Sequence, residues 1–135
     1  MIVRLGSMGS VQWVAVLAAI VLLVMSLFHL ALAAGLPWGV AAWGGTHRLL
    51  PAKLRVGSVA AAAILACAGL VILARAGLVV PGAHSMFVRV ASWAFGAYFA
   101  LNALGNLSSS SRVERVVMTP VAVLLAVCFA IVVLA

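Results

Sequence analysis

Long runs without charge alternate with short stretches that hold the charged residues. Residues 5–47, 56–74, 90–111 and 116–135 carry no Asp, Glu, Lys or Arg. A helix crosses the hydrocarbon core of a bilayer with about 20 apolar residues. The last three runs are each one span long. The first is too long for one span, and Gly35-Leu36-Pro37-Trp38-Gly39 breaks it. The pattern predicts an all-α, polytopic membrane protein, a four-helix transmembrane bundle with helices at about 11–34, 54–76, 86–107 and 114–135. Arg4 and Ala31-Leu32-Ala33 imitate a signal peptide and its cleavage site. The apolar stretch exceeds the roughly 7–15 residues of a signal core, so it is read as a retained span.

Composition agrees with the pattern. Of 135 residues, 68% are hydrophobic, and the charges are eight basic and one acidic. Mean hydropathy is +1.39. A soluble domain is roughly 45–50% apolar and about 25% charged, so a soluble globular fold is excluded. Disorder needs the opposite composition. The pI near 11.6 does not indicate nucleic acid, because the cations are scattered between apolar runs. Scattered Lys and Arg report topology. No composition shift divides the chain, so residues 1–135 read as one membrane domain.

With four spans, the first connection (about 35–53) and the third (about 108–113) share a side. They hold Arg48, Lys53, Arg55, Arg112 and Arg115, against Arg4, Arg75 and Arg89 opposite. The positive-inside rule puts these two connections in the cytoplasm of a bacterial inner membrane. The second connection, about 77–85, reads as a tight Gly/Pro turn. Laying the end of span one on the end of span three gives near-chance identity, so no internal repeat is read.

Lipid is as apolar as leucine, so helices associate through close backbone approach and interhelical hydrogen bonds. Gly57, Ala61, Ala62, Ala66 and Gly69 fit span two for close approach; the Val- and Leu-rich spans one and four suit lipid contact. Trp13 and Trp93 fall near one interface and Trp38 and Trp43 near the other, as an aromatic belt. Ser111-Arg112-Val113-Glu114 has the spacing of a capping box, with Arg55 or Arg48 as a partner for the sole acid. Pro51 suits the first turn of span two. Pro120 is expected to kink span four by freeing the carbonyl of Val116.

At 1.5 Å per residue, His29 lies about 9 Å below Gly35, and Asn102 lies at similar depth below Ser108. Ser58 and Thr119 fall in the same half of the bilayer. Tyr98, Asn102 and Asn106 share one face of span three. Together they predict a polar cup beneath connections one and three. Intramembrane polar groups are costly and often functional. Two readings stand: a His29–Asn102 hydrogen bond that fixes helix register, or a ligand site. As a site, its residues are His29, Trp43, His47, Arg48, Arg55, Asn102 and Glu114. His29 and Asn102 would bond a head group, the basic residues would hold an anionic phosphate or carboxylate, and Trp43 would line the wall.

Other chemistries find no support. His29 is the sole intramembrane histidine, so a bis-histidine haem has no second ligand. No His, Cys or acid cluster suits a metal, and no cofactor is expected. Cys67 and Cys128 lie at similar depth and read as small hydrophobes. No motif supports a Ser–His pair. Small multidrug-resistance pumps use a carboxylate in span one, and span one here has no acid. Asn102-Ala103-Leu104-Gly105 is only faintly similar to a helix of small fluoride channels.

The first connection carries Pro37-Trp38-Gly39, Ala42-Trp43-Gly44-Gly45, His47-Arg48, Leu50-Pro51 and Leu54-Arg55, followed by Ser58. Further on come Asn102, Gly105-Asn106, Ser111, Glu114-Arg115, Met118 and Pro120. In these stretches the chain resembles a group of small four-helix bacterial membrane proteins typical of high-GC genomes. The resemblance implies architecture and carries no activity.

The expectation is a non-catalytic membrane protein: an accessory subunit, or a binder of a lipid or other amphipathic ligand. Its partners would be the bilayer, other membrane subunits or further copies of itself, an anionic lipid or an amphipathic ligand, and no nucleic acid. The alternatives are an oligomeric small-solute channel or transporter, and a lipid-modifying enzyme with His29 or Glu114 as base.

Overall fold

A computed structural model describes residues 7–81 and 84–135. Helix α1 spans Ser10–Ala34, α2 Ala52–Arg75 and α3 Met86–Leu107. The fourth helix opens with a π-helical turn, Glu114–Met118, and continues as α4, Thr119–Leu134. All four segments are long and apolar enough to cross a membrane. The chain is an all-α, multi-pass membrane protein, with helices within two residues of the predicted bounds. Arg4 and part of the second connection (Gly82, Ala83) lie outside the described residues.

The helix ends follow local chemistry. Gly35 closes α1 at φ 102°, and the amides of Gly35 and Leu36 reach the carbonyls of Leu32 and Ala31, each at 3.1 Å. This back-folded cap requires a left-handed residue. Arg55 completes it, donating from Nε to the Ala33 carbonyl at 2.7 Å. A cation there also meets the negative end of the helix dipole. Pro51 caps α2 from just outside the helix, its carbonyl accepting from Leu54 and Arg55 at 3.0 Å. Ser85 caps α3 through the amide of Val88 at 3.3 Å.

Helix α1 packs on α2 and α4, and α3 packs on α4 and α2; α2 and α4 also touch across the diagonal. Helices α1 and α3 therefore occupy opposite corners. The core fills the half of the bundle nearer the second connection. There Ala15, Ala18 and Leu22 of α1 meet Leu65, Ala68 and Ile72 of α2 and Leu125, Phe129 and Val132 of α4. A Cβ on Gly69 would sit 3.8 Å from Leu22 Cβ. Ser26 Oγ donates to the Ala62 carbonyl at 2.8 Å, tying α1 to α2. Arg75 ties α2 to the end of α4 through the Val133 carbonyl at 3.1 Å.

Three packing expectations change. Helix α4 does not simply face lipid; it supplies the largest buried side chain of the core, Phe129. Its sequence is apolar all round, so no stripe marks the inward face. Ala66, assigned to the close-approach face of span two, is exposed, and Ala62, Ala68 and Gly69 do that work. The two cysteines part company, Cys128 in the core and Cys67 exposed.

Candidate functional site

The other half of the bundle is not filled. Between the diagonal helices α1 and α3, under connections one and three, lies a cavity of about 220 Å³. Its floor is the upper edge of the core, Leu65, Phe99 and Leu125, with Met25, Met118 and Val121 beside it. His29 and Phe28 come from α1, Tyr98, Asn102 and Asn106 from α3, Trp43 from the first connection, and Glu114 from the π turn. One water needs about 10–15 Å³ of such space, so a single structural water does not account for the cavity.

The first connection builds one wall. Leu32, Ala42 and Leu50 bury together against Phe28 and Leu54 and hold it down. Trp43, Gly44 and Gly45 then follow one another at φ 54°, 81° and 70°. For a tryptophan this left-handed backbone costs roughly 1–2 kcal/mol. It is offset by where the ring goes: Trp43 Nε1 donates to Ser58 Oγ at 3.0 Å, and Ser58 is fully buried. The ring lies on Gly57, where a Cβ would sit 3.0 Å from it. Trp43 is thus a seated wall residue and more than part of an interfacial belt. Trp38 is the belt-like one, 48% exposed and stacked on Phe28 with ring centroids 6.4 Å apart.

Connection three latches onto connection one. Ser111 Oγ donates to the Val40 carbonyl at 2.5 Å and accepts from the Glu114 amide at 3.4 Å. Half of the expected capping box is therefore present. The other half is replaced. The Ser111 amide goes to Ser109 Oγ at 3.1 Å. The Glu114 carboxylate crosses to the first connection, where Oε1 accepts from the Gly44 amide at 3.1 Å, while Oε2 accepts from Ser109 Oγ. Glu114 is 6% exposed. Among the described residues no Lys, Arg or His nitrogen lies within 4.0 Å of it. The expected partner Arg55 is engaged at the end of α1.

Pro120 explains the π turn. It has no amide hydrogen and would clash with the carbonyl of Val116 in a regular helix. One extra residue in the preceding turn takes up the misfit: the Thr119 amide bonds the Glu114 carbonyl, five residues back. Thr119 Oγ1 donates to the same carbonyl at 3.4 Å, so its hydroxyl is spent in the helix.

The structure brings four of the seven expected site residues to the cavity: His29, Trp43, Asn102 and Glu114. His47, Arg48 and Arg55 are exposed and outside its lining. Asn106 and Tyr98 line it, as their shared face required. The His29–Asn102 bond is absent. Asn102 Oδ1 accepts from Asn106 Nδ2 at 3.1 Å within α3, and His29 Nδ1 is buried with no hydrogen-bond partner among the described residues. Sequence reasoning missed the Trp43–Ser58 bond and the docking of the serine run. Gly57-Ser58, at matching depth below Trp43, was the available signal.

Comparison with protein-family models, with curated proteins and with solved structures finds no match to this chain.

Proposed function

We propose that this membrane protein is a non-catalytic binder that holds one amphipathic molecule in the cavity between α1 and α3. The observation that carries the reading is His29. Its Nδ1 is buried and unbonded on the wall of a cavity too large for one water. An unsatisfied buried polar atom costs about 1–3 kcal/mol. A ligand that bonds it recovers that cost. The apolar floor of Leu65, Phe99 and Leu125 receives a hydrocarbon segment, and Asn102, Asn106 and Glu114 receive the head. Tyr98 and Asn102 are exposed on the outer face of α3 while also lining the cavity, which opens a route from the lipid. In this reading the protein sits in a bacterial cytoplasmic membrane with connections one and three in the cytoplasm, following the positive-inside rule.

Native mass spectrometry of protein extracted gently from its own membranes tests the proposal. The expected result is a discrete bound molecule that is lost in His29→Ala/Asn102→Ala, with helix content by circular dichroism unchanged. Other polypeptides in stoichiometric amount, with no small ligand, overturn it in favour of an accessory subunit.

A further inference from the structure

We infer that the head group taken by this cavity is an organic ammonium; the inference rests on the cavity being an amphiphile site. The lining holds the chain's one carboxylate, Glu114, and no Lys or Arg. Four aromatic residues share it: Phe28, Trp43, Tyr98 and Phe99. Such a lining suits a cation in two ways. A buried carboxylate without a cationic partner is costly, and the Glu114 oxygens accept only from neutral donors, the Gly44 amide and the Ser109 hydroxyl. Two of its roughly four lone-pair sites remain. Aromatic faces attract cations, and alkylated ammonium groups most characteristically. The expected anionic head finds no matching charge, because Arg48 and Arg55 stand outside the lining. His29 Nδ1 is left for the polar linkage next to the ammonium, whether ester, hydroxyl or phosphate.

The ammonium belongs either to a bilayer aminolipid or to a free cationic amphiphile. Protein in dodecyl maltoside is titrated with dodecyltrimethylammonium or dodecyl sulfate, and the one-to-one adduct is counted by native mass spectrometry. Two parallel samples are released from phosphatidylglycerol nanodiscs with and without phosphatidylethanolamine. Dodecyltrimethylammonium should bind about tenfold more tightly than dodecyl sulfate, with the ammonium preference about tenfold weaker in Glu114→Gln. Glu114→Gln also touches the connection latch, so Tyr98→Leu serves as the second variant. Tyr98 is 39% exposed and its ring contact is to its own neighbour Phe99. It should lose affinity roughly threefold, the size of one cation–π contact. A retained phosphatidylethanolamine identifies the lipid source; binding of the added ammonium alone identifies the free one. Either supports the inference. Dodecyl sulfate binding as tightly as the ammonium overturns it, as does ammonium binding unchanged in both variants. If sulfate binding is also lost in His29→Ala/Asn102→Ala, the cavity reading survives and the ammonium alone fails. If no probe responds to that double variant, both fail.

Discussion

The latch between the two connections makes a sharp prediction at Gly44 and Gly45. Both have positive φ, 81° and 70°, so an alanine at either pays the left-handed penalty of roughly 1–2 kcal/mol. They differ in surroundings. A Cβ at Gly44 meets nothing within 4 Å, whereas one at Gly45 falls 2.6 Å from Ser111 Cβ and 2.8 Å from Ser111 Oγ. Ordinary contact begins at 3.4 Å, so Ser111 must retreat by nearly an ångström. Its bonds to the Val40 carbonyl and the Glu114 amide do not survive that shift. Loss of a serine N-cap costs about 0.5–2 kcal/mol. Gly45→Ala should therefore destabilise by about 1.5–4 kcal/mol and Gly44→Ala by about 1–2.

Cys128 supplies the assay. It is 3% exposed, so in a Cys67→Ala background its labelling by a thiol-reactive dye reports opening of the bundle. Unfolding is followed as the dodecyl sulfate fraction rises in mixed micelles. Ser111→Gly removes two of the three colliding atoms, leaves the Val40 carbonyl oxygen 2.9 Å from the new Cβ, and itself gives up the Ser111 bonds to Val40 and Glu114. Added to Gly45→Ala, it should cost less than the sum of the two single changes, because Gly45→Ala has already lost those bonds. If Gly45→Ala and Gly44→Ala agree within about 0.5 kcal/mol, the latch contributes nothing and the argument fails.

Three further outcomes follow from single contacts. Trp43→Phe should cost about 1 kcal/mol through the lost bond to Ser58; a double-mutant cycle with Ser58→Ala reads the coupling, and a coupling of zero removes the seat assigned to the indole. Gly69→Ala should be neutral or stabilise by about 0.5–1 kcal/mol, because its Cβ has room against Leu22. Gly69→Leu should separate α1 from α2 and lower the unfolding midpoint in the same assay. Single cysteines at His47 and Ser110 should react with a membrane-impermeant thiol reagent from one side of the membrane and a cysteine at His84 from the other; labelling of His47 and Ser110 from opposite sides contradicts the latch.

The spans were legible because the bilayer imposes one simple rule, a charge-free run of fixed length, and the chain obeys it. Depth was legible for the same reason: counting residues from Gly35 and Ser108 put His29 and Asn102 in one layer, and both line one cavity. Direction was not legible. Arg55 sits at the right depth to reach the cup, but the bare carbonyl of Ala33 at the end of α1 claims it. Glu114 has the spacing of a capping box, yet the Gly44 amide, 70 residues away in the chain, takes its carboxylate. Such long-range donors leave no trace in local spacing. The inward face of α4 was hidden because every residue from Val121 to Leu134 is apolar, so periodicity has nothing to report.

The distribution of irregularity bears on the choice between a site and interhelical glue. A polar residue placed to fix register finds its partner on the facing helix, as Ser26 does at the Ala62 carbonyl. The half of the bundle that holds the core is made mostly of such contacts and of packed side chains, with Arg75 Nε as the one buried nitrogen left without a partner there among the described residues. At the other end, departures from local rules converge on one cavity. Trp43 is held at positive φ, the fourth helix opens with a π turn that carries Glu114, and His29 keeps a buried nitrogen unbonded. Each is individually unfavourable, and π turns recur at functional positions. Glue would pair Asn102 with His29 across the bundle. Instead Asn102 bonds Asn106 on its own helix and leaves the space between α1 and α3 open. Sequences that are consistent at every level break their own rules chiefly where something other than stability is being served. These departures support the proposal that the cavity is a binding site, with the core beneath it as its platform.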